Sequence, residues 1–136
     1  MPITLLQPDG LVRSPAFSHV AVVPPGATTV YLGGQNGVDE TGRVVSDDIA
    51  AQSVRAVENA VVAVEAAGAT LDDVVQWTIL FDERADLGAA YGAIAAKLAR
   101  DGAPPLVTAA KVAGLGVPGA LIEVSAVAAV VADGPH

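Results

Sequence analysis

The middle of the chain, residues 46–67, carries the pattern of one long amphipathic helix. Small and apolar side chains recur there at helical spacing and share one face: Ile49, Ser53, Ala56, Val57, Ala60, Val61 and Val64. Polar side chains fall on the other faces: Gln52, Arg55, Asn59 and Glu65. Ser46 can cap the first turn, and Gly68 supplies the left-handed residue that ends many helices. A helix with one such apolar face has to pack against a second layer of structure.

Six short segments around this helix are rich in β-branched and apolar residues and are bounded by turn-forming residues, which is typical of strands. They cover residues 3–6, 19–23, 28–34, 73–81, 106–113 and 121–131. A second helix is predicted after Asp86, its cap, and before the Ala-Pro-Pro of residues 103–105. The order is β-β-β-α-β-α-β-β. We therefore expect residues 1–136 to form one α+β domain, with two helices over one face of a mixed sheet.

The opposite face of this sheet is expected to need a partner. In the last strand, alternation places Glu123 and Ser125 on that face together with the apolar Leu121 and Val127. The chain is 52% hydrophobic and only 16% charged, against about 25% charged residues in ordinary domains. So few charges cannot cover the surface of a small monomer, and we expect some apolar surface to be buried between subunits.

Several classes of function are disfavoured by the composition. The net charge of −8 and the absence of a Lys/Arg cluster argue against nucleic-acid binding. The chain has no cysteine, its histidine at position 19 has no metal-site spacing, and it carries no dinucleotide or P-loop motif. We therefore expect no cofactor and no metal. No membrane-spanning run or signal peptide is visible, so the expected location is the cytoplasm.

Four segments in a fixed order resemble the RidA/YjgF family. They are residues 14–19 (SPAFSH), 33–35 (GGQ), 66–75 (AAGATLDDVV) and 121–124 (LIEV). The resemblance implies a chorismate-mutase-like fold and a homotrimer whose sheets line a central barrel, with small-molecule sites in the clefts between subunits. It also implies hydrolysis of reactive enamines and imines, such as 2-aminoacrylate, that pyridoxal-phosphate enzymes release.

One position departs from the family pattern. In the family, an arginine in a Pro-x-Arg-Ser/Thr segment holds the substrate carboxylate as a bidentate pair. Here the segment reads Pro105-Leu106-Val107-Thr108, so Val107 stands in place of the arginine. A valine cannot pair with a carboxylate, and desolvating that anion without a partner costs several kcal/mol. The substitution puts the usual deaminase activity in doubt.

Other positions match the family's ligand cleft. Glu123 corresponds to its acidic residue and is the candidate catalytic group, while Gly34 and Gln35 match the segment whose backbone approaches the ligand. Phe17 stands where tyrosine is usual, and Ala109 stands where cysteine is common. These replacements make the predicted cleft more apolar.

The sequence leaves the roles of the charged residues open. Glu123 is a candidate acid or base, but it could instead pair with Lys111, whose strand precedes its own in an expected hairpin. Arg13 and Lys111 are the two cations that could replace the missing arginine. Trp77 alternates with valine and isoleucine and is expected to pack in the core or an interface.

Two functions are consistent with these residues. One is an enamine or imine hydrolase with an altered or absent carboxylate clamp, and the other is a non-catalytic trimer that binds a small apolar or carbonyl-bearing molecule. Endoribonuclease activity, also associated with the family, is disfavoured by the negative charge.

Overall fold

The computed structural model describes residues 2–132. Its elements follow the predicted order, with one added turn of 3₁₀ helix, Leu71–Asp73, before the fourth strand. The strands are β1 (Thr4–Leu6), β2 (Val20–Val22), β3 (Thr28–Asn36), β4 (Val74–Asp82), β5 (Leu106–Val112) and β6 (Ile122–Val130). The helices are α1 (Ile49–Ala66) and α2 (Leu87–Leu98). The expected α+β arrangement is confirmed.

The strands form two sheets of unequal size. β1 and β2 make a separate antiparallel pair, whereas the main sheet has the order β3-β6-β4-β5. β6 is antiparallel to both of its neighbours, and β5 is parallel to β4. The predicted hairpin between β5 and β6 is therefore wrong. Helix α2 crosses over between β4 and β5, which is the connection that parallel neighbours require, and β6 enters on the other side of β4.

Both helices cover the same face of the main sheet. α1 packs against β3, β6 and α2. Beneath the helices lies one continuous apolar core, which includes Trp77, Ile79 and Phe81 of β4 and Ile122 and Val124 of β6. The alternation predicted for both strands is thereby confirmed.

Among residues 2–132, no helix covers the opposite face of the sheet. Register places Tyr31 of β3 beside Val127 of β6, and Glu123 of β6 beside Leu80 of β4. Tyr31 is 80% exposed, although it lies in the middle of its strand. Nothing within residues 2–132 covers this row of side chains.

The helix ends show where side-chain chemistry agrees with the sequence pattern. Asp86 accepts a hydrogen bond from the Ala89 amide at 3.1 Å, so its predicted capping role is confirmed. The cap of α1 is Asp48, which accepts from the Ala51 amide at 3.0 Å, and the prediction of Ser46 is wrong. The Ser46 hydroxyl instead accepts from the Asp48 amide and orders the residue that caps the helix.

Candidate functional site

A pocket of about 730 Å³ opens between helix α2, the β4–β5 edge and the segment that precedes β2. The pocket lies on the helix-covered side of the sheet, because the core residues Trp77 and Ile79 and the α2 residues Tyr91 and Ile94 line it. Val107, the partner of Trp77 in the parallel ladder, lines it too. The other lining residues are Pro15, Ala16, Phe17, Ile79, Tyr91, Ile94, Ala95, Leu98, Ala99, Arg100, Gly102, Pro104 and Pro105. This volume suits a small organic ligand.

The walls of the pocket are almost entirely apolar. Trp77 and Ile79 form part of its sheet side, and Phe17 and Val107 are half-buried. Tyr91 of α2 brings a phenol, and its ring meets Phe81 edge to face with centroids 5.5 Å apart. Partial burial raises the pKa of the Tyr91 hydroxyl above its ordinary value of 10.0, so this group stays protonated at neutral pH. The site therefore favours ligands with a large apolar part.

The Phe17 wall is held in place by the side chain of Gln7, which follows β1. Gln7 Nε2 donates to the carbonyl oxygens of Ser14 at 2.6 Å and Phe17 at 3.0 Å. The Ser14 amide donates to Gln7 Oε1 at 2.9 Å. We call these three hydrogen bonds the Gln7 clamp. The Ser18 amide also donates to the Pro105 carbonyl at 3.1 Å, which fixes the segment to the start of β5.

One arginine lines the pocket, but its guanidinium is engaged by main-chain carbonyls. Arg100 Nη1 donates to Leu71, Asp72 and Val74, and Nε and Nη2 donate to Ala103. Desolvation lowers the pKa of Arg100, although an arginine remains charged at neutral pH. These bonds leave at most one N–H, on Nη2, for a ligand. A bidentate carboxylate clamp needs two parallel donors, and Arg100 cannot supply them.

Neither of the two predicted replacement cations lines the pocket. Arg13 forms an exposed ion pair with Asp9, with 3.0 Å between Nη2 and Oδ1. Lys111 Nζ donates to the Glu83 carbonyl at 3.4 Å. β4 lies between β5, which carries Lys111, and β6, which carries Glu123. Two strand spacings, about 9–10 Å, therefore separate the backbones of these two residues. The ion pair considered for Lys111 and Glu123 does not form among the described residues.

Glu123 and Gly34 meet on the other face of the sheet. Glu123 is paired in register with Leu80. The neighbouring residue Ile79 lines the pocket, so Leu80 and Glu123 point to the opposite face of the sheet. A Cβ atom at Gly34 would lie 2.7 Å from both Cδ and Oε2 of Glu123, so the carboxyl rests directly on the glycine backbone. Gly34 lies where a bulge shifts the register of β3 between Leu32 and Gln35. Glycine leaves room for this carboxyl, and a side chain at position 34 would require the flexible end of Glu123 to move.

The predicted site residues therefore separate into two groups within one chain. Phe17 and Val107 share the pocket, whereas Glu123 and Gly34 share the uncovered face. Gln35 belongs to β3, and its amide donates to the neighbouring Gly33 carbonyl at 3.3 Å. Ala109 is exposed on β5 in register with Ile79 and does not line the pocket. Three contributors were not predicted to act at the site: Gln7, Trp77 and Arg100.

Residues 2–132 were compared with the requirements of a metal-binding cluster and of a membrane-spanning helix. No group of three or more His, Asp or Glu side chains there could hold a metal ion. None of the helices in that range is both long and apolar enough to cross a bilayer.

Comparison with known proteins decides the family. A family model described as Endoribonuclease L-PSP matches residues 12–130. The chain belongs to this family. A curated relative, a RutC family protein of Pyrococcus abyssi, is 40% identical over 58 residues, which cover 42% of this chain and 46% of the relative. The chain thus matches about half the length of that relative.

Solved structures agree with this membership over nearly the whole chain. The Rid family protein YyfB of Yersinia pestis, described as a protein of unknown function, has a TM-score of 0.80 and 27% identity, with coverage of 94% of this chain and 98% of that one. The Escherichia coli YjgF product has a TM-score of 0.67 and 27% identity, with coverage of 78% and 83% respectively. The predicted RidA/YjgF family and its chorismate-mutase-like fold are confirmed.

Proposed function

We propose that this Rid-family protein binds a small, largely apolar molecule in the pocket beside Val107 and lacks the standard 2-aminoacrylate deaminase activity. The observation that carries the proposal is the chemistry of the pocket wall. Val107 lines it where the family resemblance places an arginine, and the one guanidinium nearby is occupied by four carbonyls. A carboxylate would therefore be desolvated there without a bidentate partner.

The proposal includes a homotrimer with ligand sites between subunits. It is supported by the uncovered face of the main sheet, on which Tyr31 is exposed. Burying that face against other copies would remove apolar area from water, at roughly 25 cal/mol per Å². A sedimentation mass equal to a single chain would exclude this part of the proposal.

A second candidate function, imine or enamine hydrolysis, is favoured by Glu123. Its carboxyl lies against Gly34 and makes no hydrogen bond or ion pair with the other described residues. Within one chain it cannot reach the pocket, because the sheet separates them. In a trimer, Glu123 of one copy could face the pocket of another and move a proton to or from a bound imine. Catalysis under this proposal requires the assembled oligomer.

The nuclease name of the family has little physical support in this chain. The net charge of −8 repels a phosphate backbone. The pocket is apolar, and its arginine is committed to main-chain carbonyls. Endoribonuclease activity is therefore not part of the proposed function.

The release of 2-oxo acid by a serine dehydratase tests the proposal directly. The dehydratase forms 2-aminoacrylate, and its hydrolysis is followed with and without this protein. We expect no acceleration by the wild type or by the size-matched control Val107→Leu. Val107→Arg restores two parallel donors for the carboxylate and is expected to accelerate release. Acceleration by the wild type in proportion to its concentration would overturn the proposal.

A further inference from the structure

Trp77 lies in the wall of the pocket, next to the position where the family resemblance places an arginine. It is the single tryptophan of the chain, and it lies beside Val107 in the parallel ladder of β4 and β5. Only 3% of its surface is exposed, yet it lines the pocket. The indole is therefore adjacent to the site where the expected cation is missing.

The indole N–H has no protein partner within residues 2–132. None of the side-chain hydrogen bonds of that part of the chain involves Trp77, and the fully enclosed polar atoms that lack a partner there are Ser18 Oγ and Ser53 Oγ. Trp77 Nε1 is not enclosed in this way, so it still reaches accessible space. The pocket is the accessible space that Trp77 lines. A buried tryptophan usually finds an acceptor for its N–H, and a ligand can provide one here.

From this arrangement we infer that Trp77 Nε1–H is the polar anchor of the pocket and that it selects a neutral ligand with a carbonyl oxygen or imine nitrogen. The inference rests on the proposed function, because it concerns the same site. An indole is a single, uncharged donor. It can satisfy one acceptor atom, but it cannot offset the desolvation of a carboxylate. Trp77 is thus a specificity-determining residue.

The rest of the ligand follows from the walls. Phe17 and Tyr91 supply aromatic rings, Ile94 and Leu98 supply aliphatic surface, and the volume of about 730 Å³ exceeds what a three- or four-carbon acid needs. The structure assigns to this pocket a ketone or imine that carries an aryl or long alkyl group.

Three probes with one carbon skeleton separate these contributions. Benzylacetone is neutral and has a carbonyl, benzylpyruvate adds a carboxylate, and butylbenzene has no acceptor. Their affinities are measured by displacement of the neutral dye N-phenyl-1-naphthylamine from the wild type and from Trp77→Phe. The phenylalanine keeps an aromatic wall and removes only the donor and part of the ring. Val107→Arg serves as the matched variant that restores a charge beside the same tryptophan.

We expect benzylacetone to displace the dye and benzylpyruvate to bind at least about tenfold more weakly. Trp77→Phe should weaken benzylacetone by about 2- to 10-fold, the range of one hydrogen bond, and leave butylbenzene unchanged. Val107→Arg should reverse the preference in favour of benzylpyruvate. Equal losses for benzylacetone and butylbenzene in Trp77→Phe, or equal wild-type affinities for benzylacetone and benzylpyruvate, would overturn the inference.

A measurement on the wild type alone guards against a variant that does not fold. With one tryptophan, the protein gives one indole N–H cross-peak in a proton–nitrogen NMR spectrum. Benzylacetone should move this peak downfield, and butylbenzene should not. If all three probes leave both the dye and the peak unaffected, the pocket is not a ligand site and the proposed function fails. If the probes bind but the peak moves equally with butylbenzene, only the role of Trp77 fails.

Discussion

Removal of the Gln7 clamp should loosen one wall of the pocket without unfolding the domain. Gln7→Ala deletes the hydrogen bonds to the Ser14 carbonyl, the Phe17 carbonyl and the Ser14 amide, at 2.6, 3.0 and 2.9 Å. Each such bond contributes about 0.5–1.5 kcal/mol net. The three groups can bond to water once the segment opens, so we take the lower part of the summed range, about 2 kcal/mol.

This free energy applies to a local opening. The segment from Ser14 to Phe17 lies outside the main sheet and is attached to it through the Ser18 amide bond to Pro105. A change of about 2 kcal/mol raises the population of the open segment roughly 30-fold. Ligand affinity is proportional to the fraction of molecules in which the pocket is closed, and it falls as this fraction decreases.

Native-state hydrogen exchange measures this opening at single amides. The Ser14 and Ser18 amides should exchange roughly 30-fold faster in Gln7→Ala, whereas amides in the core of β6 should not change. Gln35→Ala is the matched control, because it removes an equal side chain whose only described bond is to the adjacent Gly33 carbonyl. Gln7→Glu keeps the acceptor for the Ser14 amide but loses both donors, so the Ser14 and Ser18 amides should exchange faster than in the wild type at neutral pH.

Two outcomes would contradict a local role of the Gln7 clamp. If β6 amides accelerate as much as Ser14 and Ser18, the clamp belongs to the global folding unit. If Ser14 and Ser18 exchange at the wild-type rate, the segment is held by other contacts, and the three hydrogen bonds contribute little.

Two further predictions concern the uncovered face and the end of β4. Gly34→Ala should displace the flexible Glu123 carboxyl and destabilise the fold by no more than about 1 kcal/mol. The double variant with Glu123→Ala should lose less than the sum of the two single losses in urea unfolding. Hydrogen bonds from the Arg84 side chain and amide lower the pKa of Asp82 below its ordinary 3.8. The ionised Asp82 carboxylate therefore stabilises the folded state fully above pH 3.8. This stabilisation is lost as the pH falls through the lowered pKa of Asp82. Arg84→Gln should reduce this acid-dependent loss in thermal unfolding, and an unchanged pH profile would contradict the assignment.

The elements of this fold could be predicted because their patterns are local. The face of α1 and the alternation of β4 and β6 depend on spacing within one segment, and both are confirmed. The pairing of β5 could not be predicted in this way. Neighbours in sequence often pair, which favoured a β5–β6 hairpin, but helix α2 sets β5 parallel to β4 instead.

Buried polar residues are the second feature that the sequence pattern did not predict. The helical pattern predicts that Gln52 lies away from the buried face of α1, yet its side chain is fully buried. Its amide donates to the Ser46 and Gly119 carbonyls, and its oxygen accepts from the Leu121 amide. Burial of an amide is tolerated when its hydrogen bonds are made, and the partners of Gln52 lie up to 69 residues away. A helical pattern alone contains no signal for such a residue.

The pocket itself depends on two residues that the sequence separates and the sheet brings together. Trp77 and Val107 become neighbours only because β4 and β5 are parallel and in this register. Considered separately, the tryptophan indicates ordinary packing within a strand, and the valine indicates the loss of the arginine that binds a carboxylate. Side by side they form one apolar surface in a pocket whose lining includes no carboxylate. A guanidinium at position 107 would be a partly desolvated cation there whenever no anionic ligand was bound, and this desolvation costs free energy. Valine removes that cost, and the adjacent indole retains one uncharged donor. Under the proposed function, an apolar wall in place of the carboxylate clamp changes the ligand chemistry and leaves the empty pocket stable.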